Sequence, residues 1–298
     1  PDANLALILS AVFILAGFGY KISAVPFHFW TPDVYEGSPT TITAYLSVAP
    51  KAAGFAMLIR FFNQVFGDGN GFASESWSAV NSVPWPQLLA ILAAATMTIG
   101  NLVAIQQKSV KRMLAYSSIA HAGYMMMALP LMSQSGVYGI MMYLVMYIFM
   151  NLGAFFVVIF VQNKTGGEDF EDFNALGWNM PFVGGVMTLF MIALTGLPPT
   201  AGFIGKFYIF ASLIKGGNEF YWLVMIGGIN SVISLFYYLR VVKVMYFEGE
   251  SHEKIVQPPT VMAALLLATA IPTVLLGVYW TPIADWVQRS LVFFIQTL

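Results

Sequence analysis

Long apolar runs separated by short polar segments dominate this chain. The runs are continuous and lack the period-two alternation of a transmembrane barrel strand. A helix satisfies its own backbone hydrogen bonds in lipid, so continuous runs of this kind predict membrane-crossing helices. With about 20 residues needed per crossing, the pattern predicts about eight. They lie at Asn4–Phe27, Thr40–Phe66, Pro86–Ile105, Met113–Met132, Val137–Val161, Pro181–Leu213, Phe220–Phe247 and Thr260–Trp280. The sixth is too long for one straight helix, since about 33 residues at about 1.5 Å each exceed a hydrocarbon core of about 30 Å. Pro198 and Pro199 offer the break. The tail Ile283–Leu298 follows Pro282 and carries Asp285 and Arg289, which fits an interfacial helix. The expected fold class is an all-α polytopic membrane protein with two or three helices broken by proline.

Composition supports this class. Charged residues are 9% of the chain, against about 25% in soluble domains. No basic run suggests nucleic acid. Without cysteine, disulfides, thiolate metal sites and cysteine-held iron–sulfur clusters are excluded. Pro1 is followed by no basic n-region, so the first run does not read as a signal peptide; a portion of a longer chain is expected. Lys108, Lys111, Arg112, Lys164, Arg240, Lys243 and Lys254 fall on one side of the expected topology, and Arg60, Lys215 and Arg289 on the other. The richer side is assigned to the cytoplasm.

Charge inside the apolar runs changes the picture from scaffold to path. Lys21, Lys51 and Lys206 sit in runs that contain no acidic partner near them. A charge at bilayer depth costs about 2.5–3.5 kcal/mol on insertion scales, so it marks a functional site by default. Each lysine lies close to a proline: Lys21 before Pro26, Lys51 after Pro50, and Lys206 after Pro198-Pro199. Proline opens helical backbone, and opened backbone survives in a membrane only beside protein or water. Lys21 also has a simpler reading, with its head snorkelling to the surface. Gly205-Lys206 lacks the upstream glycines and the following Ser or Thr of a phosphate loop.

Ser117 and His121 are four residues apart and share a helix face. Neutral imidazole is a suitable proton relay, while a packing hydrogen bond is the alternative role for His121. His28 falls in the aromatic segment between the first two runs, where Asp33 and Glu36 suit an entrance or simple cap positions. Asn151, Asn230, Tyr237 and Tyr238 are candidates to extend a polar axis. The acidic run Glu168, Asp169, Glu171, Asp172 reads as a solvated loop without calcium-loop spacing. A bis-histidine haem among His28, His121 and His252 is a weak alternative.

Three motifs carry a resemblance across nearly the whole chain. They are Lys21 to Pro39 (K-x-x-x-V-P-F-H-x-W-x-P-D-V-Y-E-G-S-P), Lys111 to Tyr124 (K-R-M-L-A-Y-S-S-I-A-H-x-G-Y) and Leu197 to Phe207 (L-P-P-T-A-G-F-I-G-K-F). They resemble the antiporter-like membrane subunits of respiratory complex I, the NADH–quinone oxidoreductase. The resemblance implies that residues 1–66 are the last two helices of a first antiporter-like repeat. Residues 67–250 would form a second, five-helix repeat, and residues 251–298 a C-terminal helix with its interfacial tail. It implies proton translocation driven by quinone reduction in partner subunits. Lys21 corresponds to the lysine of the first broken helix, with His28 in the same region. Lys51 corresponds to the lysine leading inward, His121 to a polar residue of the central axis, and Lys206 to the exit lysine. The glutamate that partners the first lysine would precede this chain.

No cofactor is expected in the chain itself; quinone, NADH, FMN and iron–sulfur clusters would belong to partners. Other membrane and peripheral subunits of the complex, the lipid bilayer and a bacterial inner membrane complete the expected setting. The rivals are a subunit of a multisubunit sodium/proton antiporter and a purely structural membrane subunit. The lysine precedes its proline in the first motif and follows it in the third, so the motifs alone display no simple repeat.

Overall fold

The computed structural model describes residues 2–66, 84–249 and 258–296. Within them the chain is helical, with one isolated bridge between Ser109 and Asp169. Lys254 and His252 lie outside the described residues. The helices are α1 (Asp2–Ile22), α2 (Trp30–Gly37), α3 (Thr40–Phe66), α4 (Trp85–Ile105), α5 (Val110–Met126) and α6 (Gln134–Thr165). They continue as α7 (Leu176–Asn179), α8 (Pro181–Thr195), α9 (Ala201–Lys215), α10 (Tyr221–Phe247), α11 (Thr260–Val278) and α12 (Thr281–Gln296).

Each of the eight expected runs is helical. Five helices (α3, α4, α6, α10 and α11) are long and apolar enough to cross a bilayer, or six spans if the pair 170–179 and 181–195, bent by 119°, counts as one. Among the described residues, fewer helices therefore meet that length than the eight apolar runs, α1 contributing only residues 8–22 to the count. The difference lies in shorter pieces: α5 has 17 residues, and α8 and α9 have 15 each.

Proline accounts for two of the three expected breaks. α1 stops at Ile22 where Ser23 takes a left-handed φ of 65°, and Ala24 N–H reaches back to the Gly19 carbonyl. α8 stops at Thr195 where Gly196 takes φ 89°, and Leu197 N–H reaches back to the Ile192 carbonyl. Both are the same helix-ending device, a left-handed residue followed by a six-to-one hydrogen bond. The similarity is invisible in the motifs, whose lysine and proline order is reversed. The expected break at Pro50 does not occur: α3 runs through it from Thr40 to Phe66. One missing N–H leaves one carbonyl without its donor, and the packed neighbours of α3 hold the rest of the helix in place.

Burial is inverted relative to a protein in water. Phe13, Met225, Val232, Phe247 and Val261 are exposed, while Lys51, Asn101, Ser117, Ser118, His121, Asn151 and Asn230 are buried. Apolar exteriors of this extent face lipid, so the chain is a multi-pass membrane protein. α4 and α5 approach closely: a Cβ on Gly123 would stand 2.5 Å from the Met97 nitrogen. That proximity sets α5, with its serines and histidine, at the centre of the bundle.

Candidate functional site: a buried polar axis

α5 supplies the spine of the site. Ser109 caps its first turn by accepting from Arg112 N–H, and Ser117, Ser118 and His121 then follow within four residues of helix. Ser117 and His121 share a face as their spacing predicts, because both reach the same Tyr238 hydroxyl, at 2.5 Å and 3.0 Å. The other imidazole nitrogen, Nδ1, pairs with the Tyr143 hydroxyl at 2.6 Å. A neutral ring with one donor and one acceptor suits this pair of hydroxyls, each of which can serve in either role.

Lys51 on α3 and Lys206 on α9 are the two buried lysines of the site. Lys51, on α3, is 1% exposed and donates to the Ser118 carbonyl at 2.7 Å and the Ser118 hydroxyl at 2.8 Å. Lys206, on α9, is 5% exposed and donates to the Thr195 carbonyl at 2.8 Å and the Ser231 hydroxyl at 3.1 Å. Its ammonium also stands 4.2 Å from the centre of the Tyr124 ring. The α8–α9 break creates the first of these acceptors. In a continuous helix the Thr195 carbonyl would bond the N–H of residue 199, but Pro199 has none. Gly196 completes the arrangement, since a Cβ there would lie 2.8 Å from Lys206 Cδ at a φ that side chains resist.

Side-chain amides and hydroxyls extend the axis between His121 and Lys206. Tyr237 packs its ring 4.4 Å from that of Tyr238 and donates to Asn101 Oδ1 at 2.9 Å. Asn101 Nδ2 donates to Asn230 Oδ1 at 3.0 Å and to the Tyr124 hydroxyl at 3.4 Å. Ser231 Oγ, which accepts from Lys206, lies 3.5 Å from the Tyr124 hydroxyl. The histidine, hydroxyls and lysines can exchange protons. The asparagines fix the tyrosines but are poor carriers, because an amide holds its hydrogens.

Two expected residues lie apart from this axis. Lys21 is exposed on the described chain, with its stem across α3 near Gly54. It occupies the last turn of α1. His28 is buried at 6% exposure against Phe29, and no hydrogen bond joins it to Lys51 or His121 among the described residues. Desolvation holds its pKa below the ordinary imidazole value, with the Pro26 carbonyl pulling the other way.

A second polar knot closes one end of the bundle. Lys111 is 2% exposed, pairs with Glu168 at 3.2 Å and donates to the Glu36 and Ser38 carbonyls. Arg112 pairs with Asp33 at 2.9 Å and with Glu36. Glu168 is thus a half-buried partner, whereas the sequence had suggested a solvated residue. Thr40 and Gln162 join the same knot, Gln162 donating to Glu168. Among the described residues, no ion pair involves Lys21, Lys51 or Lys206. No group of three His, Asp or Glu converges there as a metal site would require.

Sequence reasoning had singled out Tyr238, Asn230 and Asn151 without partners. It missed Ser118 as the acceptor for Lys51, and also Tyr143, Tyr124, Asn101 and Ser231. The available signal was weak: Tyr143 and Tyr147 are one turn apart within an apolar run, a pattern shared with ordinary packing aromatics.

Comparison with known proteins agrees with this arrangement. The family model described as NADH:quinone oxidoreductase/Mrp antiporter, TM matches residues 2–234. NADH-quinone oxidoreductase subunit N 2 of Sorangium cellulosum is 52% identical over 95% of this chain and 55% of its own length. A chain of respiratory complex I from Thermus thermophilus with bound Aureothin superposes with a TM-score of 0.73 at 32% identity, covering 91% of this chain and 57% of that one. A chain of the Mrp complex from Dietzia sp. has a TM-score of 0.82 at 18% identity over 98% of this chain and 60% of that one, a likeness of fold. The chain spans about half the length of the curated relatives it matches. The polar interior, the broken helix bearing Lys206 and the match over residues 2–234 together show that this chain belongs to the NADH:quinone oxidoreductase/Mrp antiporter transmembrane family.

Proposed function

We propose that this chain is a portion of the proton-translocating membrane subunit of a bacterial NADH–quinone oxidoreductase, of the subunit N type. One observation carries the reading: Lys51, His121 and Lys206 are buried in one helical bundle, each hydrogen-bonded to a hydroxyl, with no carboxylate beside either lysine among the described residues. Their carbonyl and hydroxyl partners accept from an amine as well as from an ammonium, so each lysine can gain or lose a proton when a nearby charge moves. The names of the relatives support the assignment to this complex.

In this reading residues 1–66 close a first antiporter-like repeat, residues 67–250 form the second, and residues 251–298 form the terminal helix and tail. Lys21 leads towards Lys51, His28 borders the entrance, Lys51 and His121 relay, and Lys206 delivers. Quinone, NADH, FMN and iron–sulfur clusters belong to partner subunits, both membrane and peripheral, in a bacterial inner membrane. Protons are stored and moved by this chain's side chains while partners supply the driving charge displacement.

The test is Lys206→Ala in the full-length subunit of a reconstituted complex. General acid–base groups contribute about 10²–10⁴, so proton uptake per NADH oxidised should fall by more than about tenfold with assembly preserved. Normal pumping by the variant would refute the reading. The Mrp likeness in fold supports a second reading, cation/proton exchange. Transport that stops when choline replaces sodium would favour it.

A further inference from the structure

The exposed face of α10 changes character along its length. Val232, Phe236 and Leu239 are exposed apolar side chains, and the exposed Lys243 follows one turn after Leu239. Their spacing of three or four residues puts them on one helix face. Over about 16 Å, at about 1.5 Å per residue, this face passes from hydrocarbon to charge, as a phospholipid does from its chains to its headgroup.

At the charged end lies a cleft of about 1110 Å³ between α10, the α4–α5 turn and the loop from α6 to α7. Three cations line it, Lys108, Arg240 and Lys243, together with three carboxylates, Asp169, Glu171 and Glu248. The walls are fixed by hydrogen bonds. The Lys108 carbonyl accepts from Phe170 N–H at 3.1 Å, and Ser109 bridges to Asp169. Asp169 closes a capping box with Asp172. The Arg240 guanidinium lies 4.0 Å over the Phe170 ring, and its Nη1 donates to the Ile105 and Gln107 carbonyls.

These contacts leave binding capacity unused. Arg240 keeps the three donors of Nη2 and Nε, for which no acceptor occurs among the described residues. Lys243 pairs with Glu248 at 2.7 Å. Lys108 and Glu171 are exposed, and among the described residues neither has an ion partner.

The mixture of charges selects the ligand. A plain anion would meet three carboxylates, and a plain cation three cationic groups. A zwitterion carrying a phosphate and an ammonium is attracted by both sets. A primary ammonium donates charge-assisted hydrogen bonds to carboxylates, whereas a quaternary one has no N–H to donate. A water-soluble zwitterion would leave the apolar approach along α10 unused.

We propose that this cleft binds the headgroup of an ethanolamine phospholipid. Its phosphate lies on Arg240 and Lys108, its ammonium on Glu171, and an acyl chain along Leu239, Phe236 and Val232. Bound there, the lipid ties α10 to the α4–α5 turn and the α6–α7 loop at the rim of the bilayer. Such a site does not depend on proton translocation.

The test uses the full-length subunit in its assembled complex, in nanodiscs holding equal parts of ethanolamine, choline and glycerol phospholipids with the same acyl chains. Electron microscopy should show headgroup density between Arg240 and Glu171, continuous with chain density on Phe236. Lipid retained after a detergent wash is counted by mass spectrometry, and the difference between parent and variant isolates this cleft. Glu171→Lys changes an exposed loop side chain and replaces the acceptor of the ammonium by a cation. The preference for ethanolamine over the anionic glycerol lipid should then fall by about tenfold or more, the ratio that one hydrogen bond to a charged group supports. Lys108→Gln weakens the phosphate contact, so it should lower retention of all three lipids without changing the preference among them. An empty cleft, protein density in its place, equal retention of the choline lipid, or a preference unchanged in Glu171→Lys overturns the site. A complex that moved no protons would refute the function proposed above and leave these lipid readings as they stand.

Discussion

Lys51 and Lys206 are both buried ammonium groups, and the fold accommodates them by opposite means. Lys206 depends on a break: Pro199 withholds the donor that Thr195 would use, and the freed carbonyl accepts from Lys206 at 2.8 Å. Lys51 lies beside a proline in a helix that does not break, and it borrows both acceptors from a neighbouring helix, at one serine. The first site takes one acceptor from its own span, at Thr195, and completes itself with Ser231 and Tyr124, and the second is made wholly by packing of α3 on α5. A locally made site is sensitive to backbone changes near it, and a packed site to the neighbour that supplies its acceptors. The two lysines therefore respond to different mutations, although both carry the same charge.

The sharpest way to break that difference is Gly196→Val. A β-branched residue is forced to φ 89°, with its Cβ 2.8 Å from Lys206 Cδ. Left-handed backbone costs about 1–2 kcal/mol for such a residue, and the clash displaces the lysine stem. Proton uptake per NADH oxidised should fall by about tenfold or more in proteoliposomes, with Lys206 still present. Retained uptake would show that the break does not position the lysine.

Next in size is Ser118→Ala. It removes one of the two Lys51 acceptors and leaves the carbonyl, so the loss is that of a hydrogen bond to a charged group, about 1.5–3 kcal/mol. Uptake should drop about tenfold, and the variant should still assemble. At the other lysine, Ser231→Ala leaves the Thr195 carbonyl and the Tyr124 face in place. An effect of about twofold to threefold is expected there, since a cation over an aromatic face retains about 0.5–2 kcal/mol. Equal losses at the two serines would mean that the sites are built alike after all.

This contrast also explains what the sequence could and could not disclose. Apolar runs, the double proline and the spacing of Ser117 and His121 are local signals, so the helices, the break at residues 196–200 and the shared α5 face were legible. Pro50 misled because proline reports only a missing donor, and whether a helix bends there depends on its neighbours. Ser118 and Asn101 were illegible for the same reason, since their partners are 67 and 129 residues away in sequence. Lys21 has the same character as Lys51 in sequence, and only contacts between helices separate them: Lys51 reaches Ser118 of α5, while the Lys21 stem lies against Gly54 of α3.

The smallest expected effect carries the comparison to two neighbouring cations. Arg112 is 28% exposed and pairs with Asp33 and Glu36 of α2, the helix that carries the buried Tyr35. Exposed pairs of this kind contribute about 0–1 kcal/mol and weaken with salt. Arg112→Gln should therefore shift the thermal midpoint of the assembled complex by no more than that energy implies, and high salt should reproduce the shift in the parent. Lys111 is the contrasting neighbour: it is 2% exposed on Glu168 and two carbonyls, and removing one partner of a buried pair costs about 3–5 kcal/mol. Lys111→Met should consequently lower the midpoint far more and reduce assembly. If Arg112→Gln instead matched Lys111→Met, the outer ion pairs would be holding α2 against α5 as firmly as the buried pair does, and burial would not be what separates the two cations.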